Sequence, residues 1–334
     1  MLSRVADCLY WMSRYVERSE NIARMLDVNL QLMLDIPILL SEELNKNWLP
    51  IAACLGEDKP FRKRFSRTDA ATVTEFLVFD REHPNSIVSC LASARENART
   101  VRGQISTEMW EQINRSYLWS TGKLARQTFD RNQCEFFQEI REISHLFQGI
   151  TDASMAHDEG WSFIQIGKYL ERADKTSRAL DDKFHLLRRT GKQNEHLQWI
   201  SVLRSCSGRQ AYQKIYVCEV EPEKVTELLV LNRSFPRSVR SCVHHLDDYL
   251  RRISGVAPGH YANEAEKQSG RLLAELNFSA VEDIYEPGLH HSMDVLQTRL
   301  NQIGEFIFKT YLHQAVEPSV PTRVTQQQRQ APQE

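Results

Sequence analysis

Apolar residues recur at three- and four-residue steps along the first segment of the chain, at Val5, Leu9, Met12, Val16, Ala23, Leu26, Leu30 and Met33. That period lays one continuous stripe along a helix. Ser3 is placed to cap its start, and Pro37 to stop it. A second long helix is predicted over 158–189, stopped near Gly191. Pro84 and Pro236 stand before further helical patterns, and proline suits a first helical turn, so each is predicted to open a helix. The short runs EFLVFD and ELLVLN could pass for strands, but they lie between helices and are read as short helices. Further helices are predicted over 41–54, 132–157, 194–216, 262–276 and 280–314. The pattern as a whole is all-α.

The chain also repeats itself, and the repeat decides its organisation. Tyr15 to Asp27, YVERSENIARMLD, aligns without gaps to Tyr169 to Asp181, YLERADKTSRALD, with six of 13 positions identical at a spacing of 154. VTEFLVFDREHPNSIVSCL from Val73 aligns to VTELLVLNRSFPRSVRSCV from Val225, with ten identities in 19 at a spacing of 152. Trp48 and Trp199 fall between these blocks at nearly the same offset. Three collinear matches imply tandem duplication, with repeats over 1–155 and 156–316. Two homologous helical units are expected to pack about a pseudo-twofold axis as one compact bundle, because each copy can then use the same surface. The tail from Glu317, rich in Gln and Pro, is expected to be disordered.

Composition supports the helical reading and narrows the chemistry. Only 13 Gly and 11 Pro occur in 334 residues, few for an all-β or Gly-looped nucleotide-binding protein. The net charge of -2 gives no global attraction to nucleic acid or to an anionic membrane. Seven scattered cysteines without a C-x-x-C pair argue against a disulfide framework or zinc cluster and read as reduced, mostly buried thiols. Asp7, Arg14 and Glu17 interrupt any signal-peptide core, and no apolar stretch reaches the ~18 residues of a membrane span. The expected setting is the cytoplasm.

Candidate chemistry centres on the repeated helix. Glu17, Glu20, Arg24 and Asp27 share one helical face, and Glu171, Asp174, Arg178 and Asp181 repeat it. Two readings stand side by side. The face is solvated, held by i,i+4 pairs of Glu20 with Arg24 and of Asp174 with Arg178; or it looks into the junction of the two copies, where acids and arginines must pair because they have left water. A second cluster, Arg95, Arg99 and Arg102, falls on one predicted face and suits a phosphate or carboxylate, or equally the acidic faces of the long helices. The second copy keeps Arg251 there and little else, so such a site would be centred on the first half.

Other chemistries find less support. A di-metal carboxylate site needs two E-x-x-H motifs, and only Glu142 to His145 matches, so no metal or cofactor is implied. No phosphate-binding glycine loop and no G-x-S-x-G occurs. The six tryptophans are read as packing anchors, and the basic stretch Phe61 to Phe65 as a solvated loop.

The blocks LSRVADCLYWMSRYVERSENIARMLDV, FDREHPNSI, ENARTVRGQISTEMWEQIN and DEGWSFIQIGKYLERADKTSRALD, in that order, resemble the bacterial alpha-E domain family over nearly the whole chain to about residue 315. The resemblance implies an all-helical protein of undefined activity, typically encoded beside a circularly permuted ATP-grasp ligase-like protein and a transglutaminase-like protein. It implies participation in peptide synthesis or modification, with the ligase or a peptide as possible partner. The family's characteristic glutamates would fall on Glu17 and Glu171, beside Arg18, Arg24, Arg172 and Arg178. His83 and Asn85 around Pro84 count as ordinary variation. Three functional readings follow: a helical accessory or binding partner working through a face that includes Glu17, Glu20, Arg99 and Arg102; an enzyme acting on a peptide or amino-acid derivative with Glu17 or Glu171 as acid or base; and, ranked last, a carboxylate-bound metalloenzyme.

Overall fold

The computed structural model describes residues 1–35, 48–190, 195–217 and 219–313, with side chains at 1–34, 48–181, 195–217 and 219–313. The stops expected at Pro37 and Gly191, residues 41–47 of one predicted helix, Cys218 and the tail from Glu317 lie outside the described residues. Every regular element among the described residues is helical.

The helices are α1 (Ser3–Asp35), α2 (Leu49–Cys54), α3 (Asp58–Arg64), α4 (Ala70–Val78), α5 (Ile87–Thr100), α6 (Thr107–Thr121), α7 (Lys123–Arg131), α8 (Gln133–Ser154), α9 (Glu159–Thr190), α10 (Glu195–Ser205), α11 (Arg209–Ile215), α12 (Pro222–Thr226), α13 (Val239–Ser254), α14 (Glu264–Phe278), α15 (Val281–Tyr285) and α16 (Leu289–Ile307). Two of them run on into wider π-type turns, α12 through Glu227–Leu231 and α16 through Phe308–Leu312. EFLVFD and ELLVLN are accordingly helical, as read from their neighbours.

Several predicted boundaries shift for local reasons. Pro84 and Pro236 do not open their helices. Two residues later Ser86 and Ser238 accept from the backbone N–H groups of Ser89 and Ser241, and α5 and α13 begin after these caps. The helix predicted over 194–216 breaks between α10 and α11 at Ser207, whose φ of 55° is left-handed, and Gly208. The basic stretch at Phe61 is no loop but part of α3. Phe61 is buried, stacking against Phe65 and meeting Phe76 edge-on.

The long helices α1 and α9 pack against each other at the centre. A Cβ at Gly167 would stand 2.4 Å from the carbonyl oxygen of Tyr10, so glycine is what allows the two backbones this approach. α5 and α8 cover α1, and α13 and α16 cover α9. The short helices cross over: α2 packs on α9, and α10 packs on α1. One apolar cluster joins Leu9 and Met12 to Leu246, Leu300 and Ile303, and a second gathers Leu26, Trp48, Phe76 and Phe136. Trp48, Trp161 and Trp199 are buried anchors. Cys8, Cys54, Cys90, Cys206 and Cys242 are buried free thiols, while Cys134 is exposed. None of the described helices is long and apolar enough to cross a membrane.

Candidate functional site

The stripe that packs α1 on α9 is interrupted by the repeated charged face, which therefore leaves water together with its apolar neighbours. Glu17, Glu20 and Glu171 are at most 1% exposed, and Asp27, Asp174 and Arg172 are buried beside them. Of the two readings of this face, the geometry is that of an internal junction.

The partners are exchanged between the helices. Arg172 of α9 donates from Nε to Glu17 Oε1 at 2.9 Å and from Nη2 to Oε2 at 2.8 Å. Arg18 of α1 donates from Nε to Glu171 Oε1 at 2.7 Å and from Nη2 to Oε2 at 3.0 Å. Both are bidentate guanidinium-carboxylate pairs on buried carboxylates, the stronger kind of charge-assisted contact. Further donors saturate each acid. Glu17 also accepts from Arg237 Nη1 at 3.0 Å and Gln148 Nε2 at 3.1 Å, and Glu171 from Arg14 Nε at 2.8 Å.

The remaining repeated residues extend this arrangement along α1 and α9. Glu20 takes Arg24 at i,i+4, the hydroxyl of Ser144 at 2.6 Å and the Nη2 of Arg237. Asp174 takes Arg178 at 2.9 Å and Lys175 at 3.0 Å. Asp27 is held by Arg141 and Gln31, and Asp181 by His290. His145, from the single E-x-x-H segment, stands 3.4 Å from Glu20. Among the described residues, no group of three or more His, Cys, Asp or Glu is placed to hold a metal ion.

Burial on its own would raise Glu17, Glu20, Glu171 and Asp174, yet the neighbouring cations outweigh it. Arg172 and Arg237 hold Glu17 below its ordinary value, and Arg18 and Arg14 hold Glu171 well below it. Glu20 is also held well below, by Arg237, the His145 contact and Arg24. In return Glu171 and Glu17, against the effect of burial, raise Arg18 and Arg172. These are fixed charges at neutral pH.

The second predicted cluster does not form. α5 ends at Thr100, so Arg102 falls in a separate 3-10 turn and shares no helical face with Arg95 and Arg99. Arg95 bonds Asn114 and Glu96; Arg99, 63% exposed, bonds Glu96; Arg102 lies over the ring of Trp110. None of the three bonds a repeated acid among the described residues, so the proposed face joining Glu17 and Glu20 to Arg99 and Arg102 is absent there.

Conversely, sequence reasoning passed over Arg14, Gln148, Lys175 and Arg237. It also took Asn85 and His83 for ordinary variation, whereas Asn85 accepts from Arg18 and donates to Glu57 at 2.6 Å, with buried His83 beside Glu57. A signal existed, since Asn85 and Arg237 follow the aligned prolines at the repeat spacing of 152. The two equivalents meet the two clamps from opposite chemical roles, acceptor and donor.

The Alpha-E family model, described as a predicted alpha-helical domain with a conserved ER motif, matches residues 1–312. An uncharacterized protein of Mycobacterium bovis and two of Mycobacterium tuberculosis are each 23% identical over 301 residues, a stretch covering 85% of this chain and 33% of theirs. The chain thus spans about a third of the length of these curated relatives. No solved structure matches it. Glu-Arg pairs stand at 17–18 and 171–172, and with a family match over residues 1–312 the chain belongs to the Alpha-E family.

Proposed function

We propose that this chain is a non-catalytic helical accessory protein, a binding partner in an ATP-grasp-linked system of peptide synthesis or modification in the cytoplasm. The observation that carries this reading is the saturation of Glu17 and Glu171. An acid or base must present an oxygen to its substrate. Here each acid is shut from solvent and holds guanidinium donors on both oxygens. Such groups fix helices and do not exchange protons at neutral pH.

In this reading the chain is two tandem repeats, 1–155 and 156–316, related by a pseudo-twofold axis. Exchange of the Glu-Arg partners and crossing of α2 and α10 onto the opposite long helix support it. The partners proposed are a circularly permuted ATP-grasp ligase-like protein and a transglutaminase-like protein, those that the family resemblance implies.

The test is co-purification of the full chain with the co-expressed ligase-like protein. A stable complex is the expected result. Absence of any complex would overturn the partner role, and loss of pathway product in a Glu17→Gln or Glu171→Gln variant of unchanged stability and unchanged complex formation would establish the enzymatic alternative.

A further inference from the structure

Two adjoining cavities open beside the clamps, between α1, α9 and α16, and they share Arg14, Asp174 and Asn301. The outer one, about 520 Å³, is walled by the apolar side chains of Tyr10, Trp11, Leu170, Leu300 and Phe308, with the charged Glu305 and Lys309 also in its lining. The inner one, about 170 Å³, is lined by Arg18, Lys175, Arg178 and Asn85. Apolar walls ahead of a small charged recess are the anatomy of a small-molecule site, in which burial of the body supplies affinity and a few polar groups fix orientation.

The recess carries an excess of positive charge. Arg14, Arg18, Lys175 and Arg178 face three carboxylates, Glu57, Glu171 and Asp174. Arg14 and Arg18 are engaged by Glu171, and Lys175 by Asp174 and Glu171. Arg178 differs. Its Nε donates to both oxygens of Asp174, while its Nη1 and Nη2 make no bond among the described residues. A partly buried guanidinium with a free fork wants a planar anion, and a carboxylate matches that fork. The volume of the recess holds a carboxylate and a few waters, at ~30 Å³ for each water.

We propose that the paired cavities bind a small carboxylic acid with an apolar or aromatic body, the chemistry shared by an acylated amino acid and the C-terminal residue of a peptide. The carboxylate lies in the recess against Arg178, and the body fills the outer chamber between Trp11 and Phe308. Inorganic phosphate would use the recess but leave the outer walls without an occupant. The site goes beyond the accessory role and does not rest on it, since it needs this chain alone.

Titration calorimetry on the purified full chain tests it with N-acetylphenylalanine, its neutral amide, a tripeptide ending in phenylalanine, and inorganic phosphate. The acid is expected to bind at least about tenfold tighter than the amide, as for loss of a charge-assisted pair. Asn301 is exposed and makes no hydrogen bond among the described residues, so its replacement spares the fold. Asn301→Asp places a negative charge where the cavities meet and should weaken the acid about tenfold at unchanged melting temperature, whereas Asn301→Ala should not. Tighter binding of the tripeptide assigns the occupant to a peptide terminus; weaker binding assigns it to the free acylated amino acid. No binding of either acid, equal binding of acid and amide, tighter binding of phosphate, or indifference to Asn301→Asp would overturn the proposal.

Discussion

Arg172 grips both carboxylate oxygens of Glu17, 155 residues earlier in the chain, and Arg18 grips both oxygens of Glu171 in the same way. Adjacent residues on a helix point about 100° apart, and here neither Glu17 nor Glu171 is met by the Arg that follows it but by the Arg of the facing helix. Two such dipeptides on facing helices can close on each other. The motif is then a reciprocal clamp, and its conformational consequence is one fixed register between α1 and α9.

If the clamp sets that register, removing one side of it is costly. Arg172→Met leaves Glu17 buried without its bidentate partner, with Arg237, Gln148 and a long contact to Asn21 as its donors among the described residues, and breaking a buried pair of this kind costs about 3–5 kcal/mol. Removing both partners together, as Glu17→Gln with Arg172→Met, should cost less than the sum of the single changes, with a coupling of about 0.5–3 kcal/mol. Arg99→Met, on an exposed side chain bonded only to Glu96 among the described residues, should stay within about 0.5 kcal/mol of wild type. Urea unfolding of the four variants measures all of this, and an Arg172→Met loss no larger than that of Arg99→Met would remove the clamp.

Acid should unlock the same junction. Glu17, Glu20, Glu171 and Asp174 are all held below their ordinary values, against burial, by neighbouring cations. A carboxyl depressed in the folded state contributes stability that is full above its unfolded value and is lost as pH falls towards the folded one. Stability should therefore fall from the ordinary glutamate value of 4.5 downwards. Glu171→Gln should flatten that fall while lowering stability at neutral pH. Denaturant midpoints along a pH series decide it; an unaltered acid slope in Glu171→Gln would show that the carboxyl is not held by Arg18 and Arg14.

Periodicity exposed α1 and α9 because an amphipathic helix of more than thirty residues repeats its stripe many times. The repeat exposed Glu17, Glu171 and their neighbours because it printed the same face twice. What periodicity could not supply was direction. A charged stripe reads alike whether it faces water or a second charged stripe, and the burial of Glu17 and Glu171 against the opposite helix tells which. Arg95, Arg99 and Arg102 show the opposite failure: their spacing assumed a helix that ends at Thr100. Arg237 was missed because its charge lies in a loop after Pro236, beyond the reach of helical periodicity, where the 152-residue repeat alone marks it.

The repeat also exposes a mismatch at Lys168, which stands 154 residues after Arg14. Arg14 reaches Glu171, but Lys168 makes no ion pair among the described residues, and Glu17 is already taken by Arg172 and Arg237. Lys168 lies over the ring of Tyr169 at 4.5 Å, and burial, with Arg172 nearby adding repulsion and Glu17 and Asp152 only partly offsetting it, pushes its ammonium down to about 8. A base depressed in the folded state destabilises that state while charged, and the penalty is relieved as pH rises from about 8 towards the ordinary lysine value of 10.5. Full relief is worth at most about 3 kcal/mol, against which stands the lost ring contact of about 0.5–2 kcal/mol. Lys168→Met is thus expected to raise the urea midpoint at neutral pH, and the gain should shrink as pH approaches ~10. A variant less stable than wild type at neutral pH, or a gain that does not change with pH, would mean that the ammonium has found an anion that the repeat does not supply.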